Sequence, residues 1–276
     1  MRAASRESYA VARDRLDEQV RGAEPAAIAT AADELLGLAG LLKGEPRLRR
    51  ALADPARSGD DRAGLIRSVL GERVSETVKD LAATLASGRW SSSVDLLNGV
   101  ERLGVEALLA SAEGAGTLGE VEDELFRFGQ VVDGDPRLAG ALGDVSATPA
   151  RRSELVRGLL EGKADAVTVR LGELAVAGFG GRNFSASLQR LVELAAERRE
   201  RRVAYVKVAS PLSDAEEERL SAHLGRIYGE QVSLKISVDP RVLGGVSVQI
   251  GHDLYDGTIL RRISQTRTAL VGRTSR

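Results

Sequence analysis

"DELLGLAGLLKGEPRLRRALAD", residues 33–54, returns ninety positions later as "DELFRFGQVVDGDPRLAGALGD", residues 123–144. The match runs without a gap to Leu70 and Leu160. Fourteen of its 38 columns are identical, among them Asp33/Asp123, Glu34/Glu124, Gly44/Gly134, Pro46/Pro136 and Arg62/Arg152. A period of this length exceeds the helical hairpins of solenoids, so the chain reads as a duplicated helical bundle.

Each copy predicts the same series of helices. Leu35, Leu38 and Leu42, or Leu125, Phe128 and Val132, fall three and four apart and line one helix face. Gly44 and Gly134 end that helix. Pro46 and Pro136 open a short second one that stops near Asp54 or Asp144, and Ser58 or Thr148 caps a third, with Pro149 in its first turn. A fourth runs to Gly88 and Arg89 or to Gly181 and Arg182, and a fifth follows each. Ahead of both copies, residues 5–20 form an amphipathic helix with Tyr9, Ala12, Leu16 and Val20 on one stripe. Between them, "GAGTLG" (114–119) fits G-x-G-x-x-G, but the helical spacing before it denies the strand that a dinucleotide site needs. It reads as a flexible linker.

From residue 203 the period changes to two. "VAYVKVAS" (203–210), "VSLKISV" (232–238) and "VSVQI" (246–250) read as strands, with Val232, Leu234, Ile236 and Val238 on one face, and Val246, Val248 and Ile250 inward. The short loop 239–245 predicts that the last two pair antiparallel. Between the first two, Ser213 and Glu216 form a capping box for a helix that turns Leu220, Leu224 and Ile227 to the sheet and stops at Gly229. After the third strand, Asp256 and Gly257 turn the chain, and Thr258 caps a last helix carrying Ile259, Ile263 and Leu270. The fold class is mainly α with a small α+β C-terminal module: bundles over 1–112 and 113–202, then a β-α-β-β-α domain over 203–276.

The 39 basic and 40 acidic residues nearly cancel, so no whole-chain field holds nucleic acid or an anionic membrane. No cysteine is present, which removes disulfides and thiolate metal sites. Arginine outnumbers lysine 34 to 5, and aromatics make up only 3%, too few for base-stacking platforms. Trp90 reads as a core or bundle-end residue. The N-terminus, with Glu7 and Asp14, leads us to expect neither a signal nor a transit peptide, and no stretch reads as a membrane span. His223 and His252 lack a triad partner or metal shell, and the acidic runs 59–61 and 216–218 sit at helix starts where the dipole accounts for them. The basic run 197–202 and Arg261, Arg262, Arg267 and Arg273 read as solvated or protein-facing surface. No catalytic group, cofactor site or metal site is expected.

The segment from 206 to 263 resembles the C-terminal half of the delta subunit of F-type ATP synthases, the oligomycin-sensitivity-conferring protein family. The resemblance lies in Ala209 with Pro211, Leu212 and Ser213; in Val238, Asp239 and Pro240 leading to Gly244 and Gly245; and in Asp256, Gly257 and Thr258. Ser210 is inserted before the proline, and Thr258 stands for the family's serine. "SYAVARDRL" is similar to the family's first helix, and Gly88-Arg89 and Gly181-Arg182 to its Gly-Arg after the fifth. The duplication departs from the usual single bundle.

The resemblance implies a non-catalytic peripheral-stalk subunit on the cytoplasmic face of a bacterial plasma membrane, without direct membrane insertion and within a hetero-oligomeric complex. Its bundle would grip the N-terminal helix of an alpha subunit, and its C-terminal part would meet the C-terminal end of the b subunit. The alpha groove is expected to involve Tyr9, Ala12, Arg13, Leu16, Gly88 and Arg89, and the second copy to offer a second such groove. The alternative reading is a cytosolic adaptor that binds unrelated partner helices.

Overall fold

The computed structural model describes residues 2–144, 146–200, 203–228, 232–239, 245–250 and 253–256. The chain divides into two compact units, residues 1–195 and 196–276.

In copy one the helices are α1 (Ala3–Val20), α2 (Pro25–Gly44), α3 (Pro46–Leu52), α4 (Gly59–Leu70), α5 (Glu76–Ser87) and α6 (Ser93–Ala115). Copy two follows with α7 (Leu118–Gly134), α8 (Pro136–Gly143), α9 (Pro149–Leu160), α10 (Ala166–Ala177), a 3-10 turn (Phe179–Gly181) and α11 (Phe184–Glu200). The local chemistry acts as the sequence implies. Ser58 Oγ accepts the Asp61 N–H at 3.0 Å and Thr148 Oγ1 that of Arg151 at 3.3 Å, while Pro46, Pro136 and Pro149 open α3, α8 and α9. The stripes Tyr9, Ala12, Leu16; Leu35, Leu38, Leu42; and Leu125, Phe128, Val132 are all buried. Trp90 is buried as well, its indole N–H bonded to the Leu85 carbonyl at 2.7 Å.

The boundary expected at residue 112 falls inside α6, and both copies share one hydrophobic core. The reason is α6 itself. Its residues from Leu103 to Glu113 are buried without interruption, so this helix is covered on every face. It packs on α1, α2 and α5 on one side of the duplication, and on α7, α10 and the 3-10 turn on the other. The expected flexible linker is a tight turn. Gly116 takes the left-handed conformation, its N–H bonds to the Glu113 carbonyl at 3.0 Å and the Thr117 N–H to that of Ala112 at 2.8 Å, and α7 starts at once.

Contrary to the expectation that no stretch approaches a membrane span, α2 has the length and apolarity for one, with a mean hydropathy of 1.3. It serves here as a core helix, burying Ile28, Ala32, Leu35, Leu38 and Leu42.

The second unit holds β1 (Val203–Val208), α12 (Asp214–Tyr228), β2 (Ser233–Val238), β3 (Val246–Ile250) and β4 (Asp253–Asp256), in the sheet order β2-β1-β3-β4. The predicted β2–β3 hairpin is not formed. β1 lies between them, parallel to β2 with Val206 opposite Ile236 and antiparallel to β3 with Val206 opposite Val248. Ala204, Val206 and Val208 are fully or nearly fully buried, which suits β1 to the centre and leaves β2 at an edge. β4, read from sequence only as a turn, adds a further antiparallel strand with Tyr255 opposite Val248.

On α12 the stripe that meets the sheet is the buried Leu224 with Leu220 and Tyr228, both partly buried. Ile227, expected to face the sheet, is 49% exposed, because four-residue steps from Leu220 end on Tyr228. Val238, at the end of β2, is also exposed. Gly229, Pro240, Gly244, His252, Gly257, Thr258 and the last helix with its arginines lie outside the described residues.

Candidate partner-binding site

The first helix is fastened to the α5–α6 turn by two serines three residues apart, just under one helical turn. Ser5 Oγ donates to Asp95 Oδ2 at 2.8 Å and accepts the Ser91 N–H at 2.9 Å. Ser8 Oγ donates to the Arg89 carbonyl and accepts the Arg89 N–H, both at 2.8 Å. This docking explains Gly88. A Cβ there would come within 2.7 Å of Ser8 Cβ, so only glycine admits the helix so closely.

Six residues were expected to line a groove, and the structure sorts them. Tyr9, Ala12 and Leu16 are at most 5% exposed and belong to the core. Gly88 and the backbone of Arg89 hold α1, while the Arg89 side chain is exposed. Arg13 is half-buried and pairs with Asp14 at 3.0 Å. Burial works against its charge, yet the carboxylates of Asp14, Asp17 and Glu106 hold the guanidinium above its ordinary pKa.

Beneath this seam lies a polar cluster that sequence reasoning missed. Glu106 on α6 is fully buried, with the Tyr9 hydroxyl donating to its Oε1 at 3.4 Å and Arg102 at 3.8 Å. The Arg102 guanidinium also stacks over the Tyr9 ring, 4.7 Å from its centroid. The signal available was the spacing of Arg102 and Glu106, four residues apart and one helical turn along α6.

The outer surface of the α1–α5 seam is built from other residues. Arg15 bonds Asp80 Oδ2 at 2.7 Å, as does Gln19, bridging the two helices. Beside them Val11 is 57% exposed, and Thr84 is partly exposed. The seam thus presents one apolar side chain within a charged and hydroxyl frame. At its upper end, Arg2, Ser91, Ser92 and Asp95 line a shallow open depression.

The equivalent pair in copy two is α6 and α10. Here α2 lies against both. A Cβ on Gly104 would meet Leu36 Cδ2 at 2.8 Å and the Leu36 backbone nitrogen at 3.3 Å, so α2 and α6 are in backbone-close contact. Asp33 pairs with Arg170, and Lys43 Nζ reaches the Ala177 carbonyl at 3.4 Å. Below them Glu101 Oε2 accepts the Gly180 N–H at 2.7 Å. Burial raises the Glu101 carboxyl above its usual pKa, against the opposing pull of that N–H and of Lys43 and Arg182.

In the C-terminal unit, the motif residues have structural posts. Leu212 packs on the core, Pro211 is exposed, and Glu216 Oε2 accepts both the Ser213 N–H at 2.8 Å and its hydroxyl at 2.7 Å. Of the expected capping box the glutamate half forms, while the serine hydroxyl donates to the glutamate and the Glu216 N–H bonds the Ser213 carbonyl at 2.9 Å. The Asp239 N–H bonds the Val208 carbonyl at 2.9 Å, Gly245 has φ +84°, and Asp256 ends β4. Tyr228 and Tyr255 meet edge to face with centroids 6.5 Å apart. His223 is exposed, and Arg198 of the basic run is buried. Among the described residues, no group of three or more His, Cys, Asp or Glu is placed to hold a metal ion.

Residues 105–270 match the family model described as ATP synthase delta (OSCP) subunit. The chain belongs to the ATP synthase delta (OSCP) subunit family. It is 62% identical to an ATP synthase subunit delta from Salinispora arenicola, over 98% of this chain and 99% of the relative. It is 44% identical to one from Streptomyces griseus, over 99% and 100%. The family match starts inside α6, at its buried segment. That segment stands before α7 as α1 stands before α2, and it packs on α10 as α1 packs on α5. α6 is therefore both the last helix of copy one and the first of copy two.

Proposed function

We propose that the chain is the delta subunit of an F-type ATP synthase, a peripheral-stalk component that holds the catalytic head still against rotor torque on the cytoplasmic face of the plasma membrane. Its helical unit docks the N-terminal helix of an alpha subunit on the α1–α5 seam, and its C-terminal unit meets the end of the b subunit. Similarity to delta subunits along nearly the whole chain carries this reading. The seam supports it physically, since Ser5 and Ser8 fix α1 from beneath while Val11, Arg15, Asp80 and Thr84 face outward. The part played is mechanical: surfaces bind and resist displacement, and no bond is made or broken.

The test is deletion of this gene with complementation by the intact chain. Membranes lacking the protein lose proton-driven ATP synthesis and release the catalytic head, and the tagged chain brings down alpha and b subunits. A synthase that assembles and stays coupled without it would end the proposal.

A further inference from the structure

The duplication invites the idea of two partner-helix sites, one per copy. The structure points elsewhere. A site of this kind requires the first helix of a copy to keep one face open beside the fifth helix of the same copy. In copy one α1 keeps such a face, with Arg6, Glu7, Val11, Asp14, Arg15 and Glu18 exposed. In copy two the positions ninety residues on, Leu96, Leu97, Glu101, Gly104, Val105 and Leu108, are all buried or partly buried, and α6 is buried without a break from Leu103 to Glu113.

What covers it is α2, which packs along α6 more extensively than any other pair of helices among the described residues. α2 also reaches α10, the second wall of the same groove. Asp33 pairs with Arg170 and Lys43 Nζ reaches the Ala177 carbonyl, so two side-chain bridges tie α2 to α10. Gly104 removes the side chain that would hold α2 away, letting Leu36 and its backbone settle onto α6. α2 is itself an apolar helix of 20 residues, with Ile28, Ala32, Leu35, Leu38 and Leu42 buried.

We infer that α2 is the permanent occupant of the copy-two groove, so that each chain takes up one partner helix, at α1–α5, and none at α6–α10. The inference rests on the partner-helix reading for the first site, and the sealing of the second can be examined without it.

The experiment uses the full chain, which has no cysteine of its own. A synthetic peptide of the cognate alpha subunit's N-terminal segment is titrated by calorimetry. One equivalent is expected, with affinity falling at least tenfold in Val11→Asp. A chain carrying Asp33→Cys and Arg170→Cys, bridged by a short bismaleimide, is expected to bind the same single equivalent within twofold. Two equivalents, an equivalent lost on bridging, or a single site indifferent to Val11→Asp would overturn the inference. Hydrogen exchange of the free chain supplies the independent arm: residues 103–113 should be the slowest-exchanging part of unit one. Fast exchange there overturns the seal. Slow exchange in a chain that binds no peptide would uphold the seal and sink the partner-helix reading instead.

Discussion

Glu34 Oε2 accepts both the backbone N–H of Ser75, at 2.8 Å, and its hydroxyl, at 2.6 Å. Ninety residues on, Glu124 Oε2 accepts the Asp165 N–H at 2.9 Å and the Thr168 hydroxyl at 2.6 Å. The shared column of the repeat is thus a carboxylate on the second helix of each copy that binds the start of the helix three places later, α5 or α10. Glu34→Ala is expected to cost about 1–2 kcal/mol, and Glu34→Gln less, because the amide oxygen still accepts. Urea unfolding followed by Trp90, the single tryptophan, checks both.

A second repeated column has unequal duties. The buried Arg62 donates to the carbonyls of Asp54, Arg57, Ala86, Ser87 and Gly88, tying the turn before α4 to the end of α5. Arg152, its counterpart, reaches the Leu142 carbonyl at 3.2 Å, and its Nε has no partner among the described residues. Arg62→Met should cost more than about 3 kcal/mol and Arg152→Met about 1 kcal/mol, measured by thermal unfolding of each variant.

At Gly88 the expectation is steric. Its φ of −66° suits any residue, so the added Cβ acts through its neighbours, chiefly Ser8 and then the Leu85 carbonyl at 3.3 Å. Gly88→Ala should destabilise unit one by about 1–3 kcal/mol, and Ser8→Gly in the same chain should recover part of the loss. A double-mutant cycle in urea measures the coupling.

The Glu101 carboxyl is raised by burial. A carboxyl whose folded pKa lies above its unfolded value contributes stability below the unfolded pKa, near 4.3, and loses it as pH rises through the folded pKa. Glu101→Gln should therefore match or exceed the native chain in stability at pH 7, the difference closing toward pH 4. Glu101→Ala, which strips the acceptor from the Gly180 N–H, should cost about 1–2 kcal/mol. Thermal midpoints across that pH range separate the two.

Glu216 has the opposite sign. The Ser213 N–H and then the Ser213 hydroxyl hold its carboxyl below the usual range. Its contribution is present above the unfolded pKa, about 4.3, and lost as pH falls through the folded value. Hydrogen exchange over residues 203–228 should be faster in Glu216→Gln than in the native chain at pH 7, with the gap shrinking in acid.

Much of the helical unit was legible because each element carries its own signal: Pro46 and Pro136 at helix starts, Ser58 and Thr148 at caps, and apolar stripes at helical spacing. The errors lie where long-range packing decides. Gly114, Gly116 and Gly119 look like a linker only when the all-round apolarity of residues 103–112 is overlooked, since a helix covered on every face must have neighbours on both sides. The loop 239–245 fits a hairpin as well as it fits a step over a central strand, and alternation cannot say which strand occupies the centre. For the candidate site, Tyr9, Ala12 and Leu16 were found by their stripe. A stripe marks the face that packs, which is why the outward residues Val11, Arg15 and Asp80 went unnoticed.

The α6 helix runs about 34 Å at the usual rise per residue, through both halves of the duplication and with no break. A beam of that kind has no joint at which one half can pivot on the other, because flexing it means prising apart its own ladder of backbone bonds. Whatever springiness the stalk shows as the rotor steps must therefore reside beyond this helix. Gene duplication here lengthened the strut without making it more supple.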